Sequence, residues 1–548
     1  MKRHVFLLIA LFFVIGVMGE TDVSVQEAQE ISVSYYSQVR DITKEYCKVG
    51  TPERISLLGL AEMWIVPVND SWILVSTDKR TEAILARFTT QVKPDLKTYP
   101  PAAQYLISGY EHDIAYVRDS CKECKIHSSW INRTQKNISQ SQETRSYPSA
   151  VAPLLSTAWR QSTNESFNPS CEKVYNKFCP NINTNMQYLC GHAVAGCVAI
   201  AVAQIMRYWE WPYAADVPTT IGGSTKVKNF YDWSLMPSTL SNSSTMAEVD
   251  MTAGFIRDIG YDLDMDYGES SGATDDEALS TFENFGYDEN TLNLRAKWKT
   301  EGWTNILHSE IAAGRPVYYS GCSNFWGTDG HAFVLDGYDA GDLYHVNLGW
   351  GPFYNGYYFI DTITAGGSSF SYWQAAIWGI KPAARYCTGL TINSSVETPK
   401  FCIAQAGQVT ISGVNINNVT DGRIYSEQSV RLITGTRINS GCSVQIAIKS
   451  IPCESPIVPH SPTFHTINQG LEDTADGFDI SPNYTIEQLE IQSQDKIVTT
   501  YVYSIEGKLL LSTNSDILST YTLNNGIYVI RAVAENGDVY QSKILLQR

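Results

Sequence analysis

Runs of apolar and polar positions divide the chain into folded stretches separated by polar segments. In the first stretch, apolar residues at helical spacing over 26–39 predict a helix, and apolar runs at 64–68 and 72–75 predict two strands around a turn. A further apolar pattern follows at 83–88. Residues 20–120 are therefore predicted to form a small α+β unit, and the polar stretch after it is predicted to be an exposed linker.

A run of small and apolar residues begins at Cys197 and continues to Tyr208, which predicts a buried helix. Gly191 and Gly196 precede this run, and Pro212 follows it. Cys197 is thus expected at the amino end of the helix, where the helix dipole and unpaired main-chain N–H groups favour a thiolate. The same N–H groups can hold the oxyanion that forms when a thiolate attacks a carbonyl group.

Two apolar runs at 330–337 and 343–351 flank a short polar turn and predict a β-hairpin. Folding the hairpin about its turn places His331 opposite Gly349 and Trp350. His331 is therefore expected at the open end of a strand with an indole beside it.

These positions suggest a nucleophile and its base. A thiolate needs a base, and the base needs an orienting group and shielding from water. Cys197 and His331 are the candidate catalytic residues, with Trp350 as a candidate shield. Asn347, two to three residues from His331 across the hairpin, is either the orienting group or a residue of the strand ladder. No metal or other cofactor is expected, because no ligand cluster accompanies the pair.

The C-terminal third is predicted to be all-β. Residues 386–455 alternate apolar and polar positions between Gly and Asn turns, as in a stacked β unit. Residues 456–475 have a linker composition, and 476–548 contain strand-like runs separated by Asn-Gly and Glu-Gly turns. The last segment is predicted to be a small antiparallel sandwich.

The N-terminus and the charge balance narrow the class of protein. A basic start followed by a thirteen-residue apolar run at 5–17 predicts a signal peptide over 1–19, since a membrane span needs about 20 residues. The chain has 40 Lys and Arg against 57 Asp and Glu, a net charge of −17. This acidic balance argues against nucleic-acid binding.

Export makes disulfides feasible for the 12 cysteines. Cys171, Cys179 and Cys190 form one candidate group, and a second group lies between residues 387 and 453. The sequence leaves the pairing open. The isolated Cys121-x-x-Cys124 motif gives little support for a redox or metal function.

Residues 150–385 resemble the streptopain family of papain-like cysteine peptidases. The matching segments occur in the family's order and are GCVA at 196–199, DMDYGESSG at 264–272, ENFGY at 283–287, PVYY at 316–319, GHAFV at 330–334, YHVNLGWG at 344–351 and GIKP at 379–382. The resemblance implies a two-lobed papain-like fold in which Cys197 is the nucleophile and His331 the general base and then acid. It also implies protein or peptide substrates, with apolar residues favoured at the second position before the scissile bond.

The segment beginning at Trp72 resembles the prodomain of the same family. This implies an inactive zymogen whose prodomain covers the site as an intramolecular inhibitor and is released by cleavage near residues 145–150. Residues 476–548 resemble the C-terminal sorting domain of the type IX secretion system, through NGIYV at 525–529 and SKILL at 542–546. That resemblance implies contact with secretion machinery and export through the periplasm of a Gram-negative bacterium to the medium or the cell surface.

Two positions depart from the family. Gly191 stands where the family has a Gln that can help the oxyanion hole, which leaves main-chain N–H groups or His192 for that role. Leu348 stands where the family has the first Trp of Asn-Trp-Gly-Trp-Gly. The alternative function is therefore a weakly active or inactive surface adhesin on a papain-like scaffold, and a third hypothesis is acyl transfer to an amine.

The sequence thus predicts an α+β protein, expected to be a monomer: a two-lobed papain-like domain with an α+β prodomain and C-terminal all-β modules. The predicted segments are a signal peptide (1–19), an inhibitory prodomain and linker (20–148), a papain-like peptidase domain (149–385), a β-rich module (386–455), a linker (456–475) and a β-sandwich sorting domain (476–548).

Overall fold

The computed structural model describes residues 21–453 with gaps at 91, 100, 122–123, 136–146, 164–170, 323–329, 353 and 361–371, and beyond 453 it describes chiefly the strands. The predicted signal peptide lies outside the described residues. In the described part of the chain, no helix is both long enough and apolar enough to cross a membrane.

The N-terminal unit, residues 21–135, is an α+β unit as predicted. Its elements are α1 Val25–Val39, β1 Glu53–Ile55, β2 Met63–Val68, β3 Ser71–Val75, β4 Ile84–Thr89, α2 Pro101–Asp119 and α3 Ser128–Gln135. A capping box between Ser24 and Glu27 starts α1, because each side chain accepts a hydrogen bond from the other residue's main-chain N–H group. Buried Ile31 and Tyr35 of α1 pack against the strands. The predicted helix and strands of this unit are confirmed.

The prediction that residues 121–148 form an exposed linker is wrong for α3. Trp130 on this helix is buried and donates its indole N–H to the Thr81 carbonyl at 3.0 Å. The Ser129 hydroxyl accepts a hydrogen bond from Ala83 N–H at 3.0 Å. One large apolar side chain is sufficient to anchor a segment whose average composition is polar.

The described part of the central segment contains four α-helices and eight strands. They are α4 Cys197–Trp209, β5 Ala214–Pro218, β6 Lys226–Phe230, α5 Met246–Asp262, α6 Asp275–Asn284, β7 Asn293–Ala296, α7 Trp303–Ala312, β8 Val317–Cys322, β9 Gly330–Tyr338, β10 Tyr344–Asn347, β11 Gly356–Tyr358 and β12 Tyr372–Trp378. Successive side chains of β8 and β9 point to opposite faces of the sheet. On one face, Tyr318 and Val334 pack with α4, α5 and α6. On the other face, Tyr319 and Phe333 pack with α7 and α2.

Strands of the N-terminal unit and of the central segment form one sheet. Its order is β1-β2-β3-β4-β11-β10-β9-β8-β12-β7. The junction is the antiparallel pair β4–β11, in which Tyr357 lies opposite Arg87 and Tyr358 opposite Ala86. The N-terminal unit therefore covers what would otherwise be an open sheet edge.

The segment 386–453 forms a stack of parallel strands. They are β13 Leu390–Ile392, β14 Lys400–Gln405, β15 Val409–Ser412, β16 Asn415–Ile416, β17 Asp421–Ser426, β18 Val430–Ile433, β19 Arg437–Ile438 and β20 Val444–Ile448. The sheets β13-β15-β18, β14-β17-β20 and β16-β19 are each parallel, so the chain advances one rung per turn. Valine and isoleucine side chains fill the interior.

Two antiparallel sheets follow. Their strands are β21 His465–Thr466, β22 Phe478–Asn483, β23 Gln488–Ser493, β24 Ile497–Ser504, β25 Leu509–Thr513, β26 Ile517–Ser519, β27 Gly526–Ala534 and β28 Val539–Leu546. The strand orders are β21-β28-β27-β24-β25 and β22-β23-β26. Strand β21 lies inside the predicted linker and pairs with β28, so this part of 456–475 is ordered by strand pairing rather than being a linker.

Three disulfides are present among the described cysteines. They join Cys121 to Cys124, Cys171 to Cys190 and Cys387 to Cys453. The pairing that the sequence left open is thus decided by proximity in the fold. Cys197 is in its thiol form.

Candidate active site

Helix α4 begins at Cys197 after an N-cap residue that supplies no side-chain cap to the first main-chain N–H groups. Gly196, the N-cap residue, has φ 89° and no capping side chain. The helical hydrogen bond from Ile200 N–H reaches the Gly196 carbonyl, so the N–H groups of Cys197 and Val198 have no partner inside the helix. A Cβ atom on Gly196 would lie 2.9 Å from Met265 Sδ, so the turn needs glycine for both its φ angle and its space.

The body of α4 is buried on every side, which fixes the position of Cys197. Residues 198–206 are all buried. Gln204 is the polar exception: its Oε1 accepts from Trp159 N–H at 2.9 Å, and its Nε2 donates to Asn347 Oδ1 at 3.1 Å. The helix is therefore joined by hydrogen bonds to Asn347 at the end of β10 and to the main chain at Trp159.

His331 lies on β9, opposite Gly321 of β8, and is buried. Its Nε2 is 3.2 Å from the Leu348 carbonyl oxygen. Because a carbonyl oxygen only accepts, Nε2 must carry the ring proton, and Nδ1 is then the basic nitrogen of the neutral ring. The Leu348 carbonyl thus makes the kind of contact with the His331 ring for which the sequence offered Asn347 as one of two alternatives.

The structure brings Cys197 and His331 together in one cavity of about 490 Å³. The remaining described lining comes from α4, the loop before α6, the start of α6, and strands β8 and β9. It consists of Val198, Ser270, Ser271, Gly272, Ala273, Thr274, Asp275, Asp276, Tyr318, Ser320, Gly321, Cys322, Gly330 and Ala332. Residues 270–272, the end of the matching segment at 264–272, are part of this lining. The described lining belongs to the stretch 197–332 and includes none of the N-terminal unit.

Burial keeps both candidate catalytic groups neutral in this form of the chain. It raises the pKa of the Cys197 thiol, against the opposing effect of nearby N–H groups of Ala332, Val198 and Cys197 itself. Burial also lowers the pKa of His331 to about 4, against the opposing hydrogen bond to Leu348. At neutral pH the pair is therefore a thiol and a neutral imidazole.

The Asn347 side chain forms its hydrogen bonds with α4 and with nearby main-chain groups. Its Nδ2 donates to the Thr157 carbonyl at 2.7 Å and to Gln204 Oε1 at 3.2 Å, and its Oδ1 accepts from Gly349 N–H at 3.2 Å. These contacts hold the chain on either side of Leu348, whose carbonyl meets His331. Asn347 is therefore placed to act on His331 through the main chain.

The register expected for the hairpin is wrong at its open end. Pairing of β10 with β9 stops at Asn347, opposite Val334, after a bulge at 345–346. Positive φ angles at Gly349 and Gly351 turn the chain away, and Trp350 forms a bridge with Arg160 instead of facing His331 in the ladder. Neither Trp350 nor Asn347 belongs to the described lining of the cavity.

The Gly191 region lies away from this cavity. Gly191 is exposed with φ 79°, next to Cys190 with φ 56°, so the chain makes a left-handed turn there. The His192 ring Nδ1 lies 3.0 Å from the Cys179 carbonyl. Neither residue is in the described lining, whereas the N–H groups of Ala332, Val198 and Cys197 lie beside the thiol.

Sequence reasoning missed Asp275, Tyr318 and Ser320, which meet in the cavity. Tyr318 and Ser320 donate to the Asp275 carboxylate at 2.9 and 2.8 Å. The alternation of β8 was the available signal, since it puts residues 318 and 320 on one face of the strand. Gln204 was also missed, although a Gln inside an apolar run signals a specific buried contact.

Comparison with known proteins finds a peptidase family and curated peptidases that are similar to the central segment. Residues 170–358 match the Peptidase C10 family. The chain is 27% identical over 351 residues to the thiol protease/hemagglutinin PrtT of Porphyromonas gingivalis, covering 60% of this chain and 38% of PrtT. It is 33% identical over 215 residues to streptopain of Streptococcus pyogenes, covering 35% of this chain and 53% of streptopain. The chain thus spans about half or less of the length of these relatives.

Two solved structures from Prevotella intermedia are similar at lower scores. A prointerpain A fragment aligns with a TM-score of 0.46 and 24% identity, over 61% of this chain and all of that one. Active interpain A aligns with a TM-score of 0.34 and 28% identity, over 42% of this chain and 96% of that one. The family match and the curated relatives agree: residues 170–358 match the Peptidase C10 family, and the chain is similar to a thiol protease and to streptopain.

Proposed function

We propose that this protein is a cysteine endopeptidase in which Cys197 is the nucleophile and His331 the base. The single observation that supports it most strongly is that Cys197, at the amino end of buried α4, shares a cavity with His331, whose Nε2–H is held by the Leu348 carbonyl. Nδ1 is thereby left as the proton acceptor for the thiol.

The reaction follows from this arrangement. His331 takes the thiol proton as Cys197 Sγ bonds to the substrate carbonyl carbon, and the N–H groups at the start of α4 hold the oxyanion. The C–N bond then breaks while His331 gives the proton to the leaving amine. Water, deprotonated by His331, attacks the thioester, and the released thiolate regains a proton. The products are a carboxylic acid and an amine, with the enzyme unchanged.

The N-terminal unit is proposed to be an inhibitory prodomain released by cleavage near residues 145–150. The contacts that follow this stretch support the position. Val151 exchanges main-chain hydrogen bonds with Tyr338, and Leu154 and Leu155 N–H groups donate to Asp336. Because the chain is anchored to β9 from Val151 onward, a cut before it leaves the new terminus in place.

The route of export is proposed from the terminal segments. Residues 1–19 act as a signal peptide, and 476–548 engage type IX secretion machinery of a Gram-negative bacterium, delivering a monomer to the medium or the surface. The test is to express the chain with and without 476–548 in a host that has this machinery. Retention of the shortened chain in the periplasm is expected, and equal release of both forms would contradict the proposal.

The activity is tested on the purified precursor and its Cys197→Ala variant, with denatured casein under mild reductant. Wild type is expected to shorten near residues 145–150 and to degrade casein, while the variant does neither. Cys442→Ala, which removes another half-buried thiol far along the chain, is the matched control and should behave as wild type.

Two other outcomes decide the alternatives. Absence of cleavage by wild type, even after a second protease has removed residues 20–148, would favour the inactive adhesin and contradict the peptidase. Products that carry an added amine at the new carboxyl end would show acyl transfer instead of hydrolysis.

A further inference from the structure

A carboxylate faces the substrate cavity at the boundary between the helical layer and the sheet. Asp275 is the first residue of α6, and it lines the cavity that holds Cys197 and His331. Its carboxylate crosses to β8, where it accepts hydrogen bonds from the Tyr318 hydroxyl and Ser320 Oγ. Tyr318 is fully buried, so the side chains at this end of the cavity are held rigidly in place.

Helix capping does not account for this side chain. Acidic residues commonly stabilise the first turn of a helix through its dipole and its free N–H groups. In α6 those donors are served by a capping box, in which Glu277 accepts from Thr274 N–H at 2.6 Å and Thr274 Oγ1 accepts from Glu277 N–H at 3.3 Å. Asp275 is directed instead toward β8 and the cavity.

The charge of Asp275 has no cationic partner within the described residues. Its two hydrogen bonds come from neutral hydroxyl groups, and no lysine or arginine lines the described part of the cavity. A carboxylate has about four acceptor positions, so roughly two remain for a ligand. A partly buried carboxylate with free acceptor positions and no cationic partner is stabilised when a cation binds to it. In this cavity the substrate is the source of that cation.

Without a bound cation, the Asp275 carboxylate disfavours the thiolate form of Cys197, and burial disfavours the charged form of Asp275. Its negative charge contributes to raising the pKa of Cys197, and burial raises the pKa of Asp275 itself. A cation placed against Asp275 would oppose both effects. Substrate binding would thereby favour the thiolate that attacks.

We propose that this cavity selects substrates with an arginine or lysine side chain close to the scissile bond, and that Asp275 is the residue that determines this specificity. The inference deepens the proposed peptidase function and rests on it. It sets this chain apart from the apolar preference that the family resemblance implies. A cavity of about 490 Å³ has room for a long side chain.

The first experiment is a cleavage-site profile. Mature wild type is incubated with a library of peptides from a digested proteome, and mass spectrometry records the residues around each new cut. Arginine and lysine are expected to be enriched at one position within three residues of the cut. Enrichment of apolar residues at every such position would overturn the inference while leaving the peptidase function standing.

The second experiment compares two fluorogenic peptides that differ only at the selected position, arginine against leucine. The readout is the ratio of the two kcat/KM values for wild type and Asp275→Asn, which keeps the hydrogen-bonding shape but removes the charge. The ratio is expected to fall at least about tenfold in Asp275→Asn. Asp275→Glu, which keeps the charge, should retain the order of preference.

The matched control is Glu283→Gln, which removes one negative charge from the exposed far end of the same helix. Its ratio should stay within about threefold of wild type, because an exposed charge is screened. If Asp275 were only a clamp between α6 and β8, Asp275→Asn would lower both kcat/KM values equally and leave the ratio unchanged. That result would overturn the proposal. Failure of wild type to cut any peptide would instead contradict the peptidase function.

Discussion

The tautomer of His331 is set by one main-chain contact, its Nε2–H to the Leu348 carbonyl. This contact makes the residue type at position 348 unimportant for orientation, since any residue supplies a carbonyl. The replacement of the family's tryptophan by Leu348 therefore leaves the base oriented. At this scale the proposed catalytic pair depends on burial and main-chain geometry more than on neighbouring charged side chains.

Burial of His331 predicts a pH-dependent stability. Its pKa is about 4 when folded and near 6.5 when unfolded, so the unfolded chain binds the proton more tightly between these values. The contribution of His331 to stability is therefore complete above about pH 6.5 and is lost as the pH falls toward 4, by up to about 3 kcal/mol. Urea unfolding of Cys197→Ala, followed by tryptophan fluorescence from pH 4.5 to 7.5, should show this loss.

The control for this prediction is Cys197→Ala combined with His331→Gln, because Gln retains a donor for the Leu348 carbonyl but does not titrate. Its unfolding midpoint should fall less between pH 6.5 and 4.5 than that of Cys197→Ala alone. Parallel curves for the two proteins would exclude His331 as a source of the pH dependence.

The N-cap of α4 predicts a second residue-scale effect. Gly196→Ala should destabilise the chain by about 1–2 kcal/mol and reduce kcat, because alanine is strained at φ 89° and its Cβ would overlap Met265. Gly254→Ala, inside α5 with no atom within 4 Å of the added Cβ, is the matched control and should be neutral or stabilising by about 0.5–1 kcal/mol. Thermal unfolding and casein turnover measure both. Equal behaviour of the two variants would contradict the assigned role of Gly196.

At the scale of elements, the site depends on the attachment of helix α4 to strand β10. Gln204 and Asn347 exchange hydrogen bonds, and each also binds main chain of the segment 157–159. This network joins the layer that carries Cys197 to the loop whose carbonyl orients His331. Helix and strand are held in register by polar contacts inside an apolar core, where an unpaired group is costly.

Asn347→Ala is therefore expected to shift the chain around Leu348 and to lower the stability of the protein. It is not expected to change the titration of His331. It should cost about 1–3 kcal/mol of stability, because Gln204 loses its buried partner. A double-mutant cycle with Gln204→Ala should give a coupling energy above about 0.5 kcal/mol. The pH dependence of Cys197 alkylation by iodoacetamide should keep its midpoint. A shifted midpoint would show that Asn347 orients the His331 ring directly.

At the scale of the whole molecule, the shared sheet ties the N-terminal unit to the peptidase segment. Besides the β4–β11 pairing, a buried polar cluster crosses the junction. Tyr35 donates to Asp339 Oδ2 at 2.5 Å, and Arg87 lies 3.4 Å from the same oxygen. Tyr110 adds a hydrogen bond to the Phe359 carbonyl at 2.8 Å. Release of the unit must break these contacts as well as the peptide bond.

Tyr35→Phe is expected to speed release of the N-terminal unit. It removes a buried hydrogen bond to a charged group across the junction, a loss of about 1.5–3 kcal/mol. Tyr36→Phe is the matched control, because the Tyr36 hydroxyl donates to Asp70 within the N-terminal unit. Conversion of precursor to mature form, followed on gels, should be several-fold faster in Tyr35→Phe than in Tyr36→Phe. Equal rates would show that the cluster does not limit release.

The sequence by itself determined the elements and the candidate pair. Local patterns were sufficient for α1, for β2 and β3 and for the Cys197 helix, because apolar periodicity reports which face of an element is buried. The hairpin of β9 and β10 was predicted for the same reason. Cys197 and His331 followed from chemistry at recognisable positions, a helix start and a strand end.

Only the tertiary structure decided what depends on contacts between distant segments. Three features join residues that are distant in the sequence: the parallel order of β13 to β20, the β4–β11 junction and the disulfide pairing. The local sequence pattern around each of these residues does not identify its partner. The bulge at 345–346 moved Trp350 out of the expected register, because strand alternation cannot reveal an extra residue. Asp275 became visible only when α6 was placed beside β8, since a carboxylate in a helix's first turn looks like an ordinary cap until its partners are known.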